Sequence, residues 1–148
     1  MDIQTQYFGT ISCSEKELIH FSDGLFGFTH LKDFVPLAFQ DNNDALICLQ
    51  SVEDFRVSFI LMNPFQLYAD YSPVLSEEDR KLLHVSSEDD SVSYYAICVI
   101  HDPMDNSTVN LKCPIAVNIE NREARQVILD NPLYQFRHLI KDFVKKGD

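Results

Sequence analysis

The sequence predicts a single, mainly β domain: a compact antiparallel β-barrel or sandwich-like fold with one short helix and a C-terminal tail open to a second. Three observations predict it. Short runs of alternating apolar and polar residues recur along the chain and are separated by turn signals, the pattern of antiparallel β architecture. The densest of them, Asn110–Ile119 and Ala124–Leu129, flank the polar turn Glu120-Asn121-Arg122-Glu123. So short a connection joins antiparallel strands and cannot join parallel ones. Finally, the 148 residues are 45% hydrophobic, with four Gly, six Pro and no repeat or linker. A chain of that size buries roughly 68–70% of its unfolded surface as one domain, spanning residues 1–148.

Taken in order, Ile3–Phe8 alternates as a strand and Gly9 allows a sharp turn before Thr10–Cys13. Leu18–Phe21 resumes the extended pattern. The corner Phe21-Ser22-Asp23-Gly24-Leu25-Phe26-Gly27-Phe28 combines two glycines with four large apolar anchors. Asp33–Phe39, Ala45–Ser51 and Arg56–Met62 are further strands, the last stopped by Asn63-Pro64. Gln66–Tyr71 alternates again. Ser76 then reads as an N-cap before Glu77, Glu78 and Asp79, acids that suit the positive end of a helix running to His84. Val92–Ile100 reads as a strand buried on both faces. In the tail, Leu133, Phe136, Leu139, Ile140, Phe143 and Val144 recur at helical spacing, and Lys145-Lys146 suits a helix C-terminus.

The formal charge is −11, and thirteen acids face three bases between residues 41 and 105. Such a field repels a phosphate backbone, which argues against direct nucleic-acid binding and for either a basic partner or a solvated acidic face. Met1–Glu15 lacks the basic and apolar regions of a secretory signal, and the longest apolar run, Tyr94–Ile100, falls far short of the ~20 residues that span a bilayer. The four cysteines, at 13, 48, 98 and 113, form no C-x-x-C pair and read as buried reduced thiols. A soluble protein of the reducing cytoplasm is expected.

Catalytic patterns are not found. No histidine pair has metal-ligand spacing, and no G-x-S-x-G elbow or phosphate-cradling glycine loop is present. His101 and Asp102 are neighbours whose side chains in a strand would point to opposite faces, so the Asp reads as a turn residue before Pro103. The expectation is a non-enzyme without cofactor or metal. One alternative stays open: a split-barrel enzyme or carrier with a flavin-like ligand at Gly24–Phe28.

Five motifs occur in one order: Phe21-x-x-Gly24-Leu25-x-Gly27-Phe28, Asn63-Pro64-Phe65, Asp102-Pro103, Thr108-x-Asn110-Leu111-x-x-Pro114-Ile115 and Gln126-Val127-Ile128-Leu129. Together they resemble the flagellar assembly factor family FliW. Two departures are visible: the family's corner has proline where this chain has Ser22 and Phe26, and the family generally ends near the stretch matching Asn131–His138. The resemblance implies a non-catalytic cytoplasmic binding protein with two partners, the basic translational repressor CsrA and flagellin. Free flagellin would release the protein to antagonise CsrA allosterically, coupling flagellin translation to filament assembly. On that basis Glu77, Glu78 and Asp79, with Glu88, Asp89 and Asp90, are candidate residues for the regulator-binding face, or else a solvated surface. Phe65, Tyr68 and Tyr71 are candidates to line an apolar groove for a helical segment of flagellin, or else core residues.

Overall fold

The computed structural model describes residues 1–40, 43–86 and 91–143. The chain opens with a two-stranded antiparallel hairpin, β1 (Asp2–Gln4) and β2 (Thr10–Ser12). The first strand is shorter than its alternation predicts because Thr5 turns the chain. Its hydroxyl donates to the Gly9 carbonyl at 2.7 Å and accepts from Phe8 N–H at 2.8 Å. Gly9 itself takes φ +67°.

Nine more strands form one sheet. In chain order they are β3 (Ile19–Phe21), β4 (Asp33–Gln40), β5 (Asn43–Ser51), β6 (Ser58–Met62), β7 (Val92–Val99), β8 (Thr108–Val109), β9 (Ile115–Asn118), β10 (Glu123–Gln126) and β11 (His138–Leu139). Their spatial order is β11-β8-β7-β6-β5-β4-β3-β10-β9, and an extra pairing of β7 with β9 closes seven of them into a ring. The expected hairpin is present, with Arg125 opposite Ala116 in an antiparallel β9–β10 pair. The sheet is mixed rather than purely antiparallel, since β10 runs parallel to β3 with Ala124 opposite Phe21. Closing the ring requires that pair, and the two strands are far enough apart in sequence for a long crossover to connect them.

Two helices break the strand pattern. Helix α1 (Pro64–Leu67) replaces the strand expected at Gln66–Tyr71. Asn63 Oδ1 caps it by accepting Phe65 N–H at 2.9 Å, and Pro64 occupies the first helical position, where its fixed φ suits the helix. Helix α2 (Glu77–Leu83) forms as expected: the Ser76 hydroxyl accepts Asp79 N–H at 3.0 Å, and His84 ends it in the left-handed region at φ 60°.

The tail differs from its helical spacing. Residues 132–143 hold no α-helix; they contain β11 and a 3-10 turn at Ile140–Phe143. Their backbone is claimed elsewhere, because His138 pairs with Val109 and the Gln135 carbonyl accepts from Leu111 and Lys112 N–H. Leu133 and Phe136, expected on a buried stripe, are 69% and 61% exposed, while Tyr134 is buried. Val144 and Lys145-Lys146 lie outside the described residues.

Apolar burial has two main centres. Phe21, Phe34, Leu49, Leu61, Ile115 and Ala124 converge from six strands inside the ring. Outside it, Tyr71, Leu83, Ala96, Leu111, Val127 and Tyr134 pack α2 and the tail against the sheet. Strand β7 therefore faces two clusters but is not wholly enclosed: Ala96 and Cys98 are buried, whereas Val99 is 52% exposed. All four cysteines are buried and free. Burial pushes the Cys48, Cys98 and Cys113 thiols above their ordinary range, which keeps them protonated and inert.

Candidate protein-binding surface

Of the candidate residues, Phe65 stands beside Tyr94, a half-buried side chain of β7 on which the surface centres. From one side the α1 turn presents Phe65, 39% exposed, whose ring meets Tyr94 at 6.2 Å and Tyr71 at 5.7 Å. A shallow hollow of about 190 Å3 lies here, lined by Asn63, Phe65, Val92, Ser93, Tyr94 and Tyr95. From the other side, Val74, Leu75 and Arg80 line a second hollow of about 180 Å3 that shares Val92 and Tyr94 with the first. Val74 is 75% exposed. Arg80 is held by a 2.7 Å hydrogen bond from Nη1 to the Leu75 carbonyl. Burial raises the Tyr94 pKa and the Arg80 charge partly opposes the shift, so its phenol stays protonated near neutrality.

The three aromatics predicted to line a groove separate. Phe65 is on the surface. Tyr68 is half-buried and packs its ring on Phe143 at 5.4 Å, under the tail. Tyr71 is a correction: at 3% exposure it belongs to the core and lines no groove. Its hydroxyl donates to the Leu111 carbonyl at 2.8 Å, its ring meets Tyr134 edge-on at 4.7 Å, and burial drives its pKa well up. The α1 turn is the cause, because it ends the alternation that would have put Leu67, Ala69 and Tyr71 on one face.

The acids separate too. Glu77 and Glu78 are exposed on the first turn of α2, and Glu77 lies 4.0 Å from Lys81 in an i,i+4 pair. Asp79 instead turns towards the sheet. Its carboxylate is only 16% exposed and accepts from Arg125 Nε at 3.3 Å, while Arg125 Nη1 also binds Asp23 of the glycine corner. Glu88, Asp89 and Asp90 lie outside the described residues. Tyr94 and Arg125, not singled out from the sequence, organise this surface; each looks like an ordinary strand residue until the ring closes.

At the Gly24–Phe28 corner the Cβ side of Gly24 is closed by the Thr29 backbone, while that of Gly27 is open. A Cβ on Gly24 would come within 2.5 Å of Thr29 Cα, and the corner is pinned through Phe26 N–H, which donates to Gln126 Oε1 at 2.9 Å. Among the described residues no group of three His, Cys, Asp or Glu side chains could hold a metal ion, and no helix is long and apolar enough to cross a membrane.

A family model described as FliW protein matches residues 2–140. A flagellar assembly factor FliW of Ruminiclostridium cellulolyticum is 36% identical over 148 residues, covering 100% of this chain and 99% of that protein. One from Geobacillus thermodenitrificans is 37% identical over 138 residues, covering 93% and 94%. The family match ends at residue 140, close to the expected end near His138, whereas the alignment with the first relative extends through the tail. A crystal structure of the flagellar assembly factor FliW superposes with a TM-score of 0.86 at 32% identity, covering 100% of both chains. The fold, the glycine corner and the hairpin thus agree with sequence similarity along the whole chain, which belongs to the FliW family of flagellar assembly factors.

Proposed function

We propose that this chain is a cytoplasmic, non-catalytic regulator that binds two proteins in exchange, a small basic translational repressor of the CsrA type and flagellin. The exchange reverses the expected sense of release, because a chain occupied by flagellin is not available to the repressor: flagellin bound to it would leave the repressor free, and flagellin exported into the filament would leave this chain free to antagonise the repressor. The observation that carries the reading is the surface around Tyr94, where exposed Phe65 and Val74 each border a shallow hollow of mixed polar and apolar lining, and Arg80 of α2 lines the second. An amphipathic helix places apolar anchors one turn apart, which suits two neighbouring hollows. The acidic charge, −11 in all, suits a basic partner and repels RNA, so direct nucleic-acid binding forms no part of the mechanism. Four buried free thiols fit a reducing compartment.

Competition between purified flagellin and the repressor for this chain tests the exchange. Each partner is expected to displace the other, and simultaneous binding at undiminished affinity would refute the exchange. Phe65→Ala should weaken flagellin binding by about tenfold or more if the ring anchors a helix. Replacing Glu77 and Glu78 with Gln should slow association with the repressor and flatten its salt dependence, with a smaller effect on dissociation. Unchanged association kinetics at low salt would remove these two acids from the binding face.

A further inference from the structure

Six of the seven strands of the ring, with the β9–β10 turn, line a partly open cavity of about 230 Å3. Ile19, Phe21, Leu49, Leu61, Ile115 and Val117 form its deep walls, each between 0 and 7% exposed. Nine of its eleven lining side chains are apolar, the others being Tyr95 and Arg122. Water is a poor occupant, because an internal water needs about two to four polar partners to replace those it leaves in bulk. An apolar body fits better. By proportion to a ~150 Å3 apolar cavity that takes benzene, this one takes roughly nine non-hydrogen atoms.

The cavity has an entrance. Strand β3 pairs with β4 only at Ile19–Phe34 and His20–Asp33, whereas β4 continues to Gln40. Pro36, a lining residue with no N–H to leave unpaired, lies just beyond the last β3 partner. Beside this gap stand Ile119, 55% exposed, and Arg122, which lines both the cavity and a surface hollow with Glu15 and Glu120. Arg122 sits at φ 61° in the β9–β10 turn, with Nε on the Leu18 carbonyl at 2.9 Å and Nη2 on the Glu17 carbonyl at 2.8 Å. These two bonds hold the guanidinium at the mouth and take two of its five N–H donors. Among the described residues the ion pairs involve His20, Arg56, Lys81 and Arg125, and Arg122 has no carboxylate partner.

We infer that the ring interior is a binding site for a small amphiphile, a monocarboxylate whose apolar body fills the cavity and whose carboxylate meets Arg122. The pocket has the composition of such a site, mostly apolar with one charged group that sets orientation. A carboxylate on a guanidinium is among the stronger hydrogen-bonded pairs. A second negative charge on the ligand would face Glu15 and Glu120 in the outer hollow, so a single charge is selected.

Octanoate, octan-1-ol and octylamine, titrated separately into the full chain, test this when followed by methyl NMR and thermal unfolding. Octanoate should saturate, shift the Leu49, Leu61 and Ile115 methyl signals and raise Tm. Octanol should bind about tenfold more weakly and octylamine more weakly still. Arg122→Gln should weaken octanoate by about tenfold and leave octanol unchanged. Leu61→Phe should fill the cavity and weaken both, and Ile115→Phe, from another strand, provides a second filled variant should the first not fold. Unshifted interior methyls at millimolar octanoate in the unaltered chain would overturn the inference. So would equal affinity for all three probes, or octanoate affinity unaffected by Arg122→Gln.

Discussion

Arg125 joins two acids that the sequence keeps far apart, Asp23 in the glycine corner and Asp79 in α2. Its side chain is 20% exposed and that of Asp79 16%, so the contact is partly desolvated and losing one partner leaves the other half-buried without its countercharge. Arg125→Met should lower stability by about 1–3 kcal/mol, less than a fully buried pair would cost and more than a surface one. Urea denaturation, with Asp79→Asn and the double variant to complete the cycle, would separate the pair from its surroundings. Tyr71→Phe removes the donor to the buried Leu111 carbonyl and should cost about 1–2 kcal/mol in the same assay. Gly24 is more severe. It holds φ +67° against the backbone of Thr29, so Gly24→Ala should cost more than about 2 kcal/mol and loosen the corner on which Phe26 and Leu25 sit.

At the scale of elements, local chemistry decides some segments and pairing decides others. Helix α2 forms where the sequence predicts it because Ser76, three acids in the first turn and the left-handed His84 act within the helix itself. Ser76→Ala removes the acceptor for Asp79 N–H and should cost about 1 kcal/mol, read from the denaturation midpoint. The turn of the β9–β10 hairpin is equally local: Asn118 Oδ1 accepts Glu120 N–H and Asn121 Oδ1 accepts Glu123 N–H. The stretch Gln66–Tyr71 alternates like a strand, but the Asn63 cap and Pro64 start a helical turn that overrides this six-residue alternation. The tail carries a helical spacing that loses to β8, an open strand edge offering backbone partners to His138 and Leu139. Periodicity records which residues are apolar; it does not record what the neighbouring edge offers.

The whole molecule is a ring closed by one parallel pair and one forked strand, and its buried acids make it sensitive to alkali. Burial pushes the Cys98 thiol from its ordinary 9.0 up to about 12. The unfolded chain releases this proton near the lower value while the folded chain keeps it, so stability falls as pH rises through that window. The loss is about 1.4 kcal/mol per pH unit for one group. Tyr71 and Tyr94, also raised by burial, add to the fall above their ordinary range. Urea midpoints at about pH 8 and about pH 10.5 should drop steeply, and Cys98→Ala should make the dependence shallower by one group. A slope unchanged by that substitution would show that Cys98 titrates in the folded chain at its ordinary value.

Sequence alone determined the β class, the strands β2 to β7 to within a few residues, the hairpin, the capped helix and, through five ordered motifs, the family. Each depends on near neighbours: alternation, a cap, a glycine, a turn amide. Glu77, Glu78 and Phe65, which sequence alone named as candidates, are exposed. Tertiary structure alone decided that Tyr71 is core, that Asp79 is committed to Arg125, that Tyr94 separates two hollows, and that Arg122 stands over an apolar cavity. Apart from Tyr71, which the α1 turn redirects, those outcomes follow from β10 lying parallel to β3 and β9 reaching β7, contacts between residues distant in sequence that no local pattern encodes.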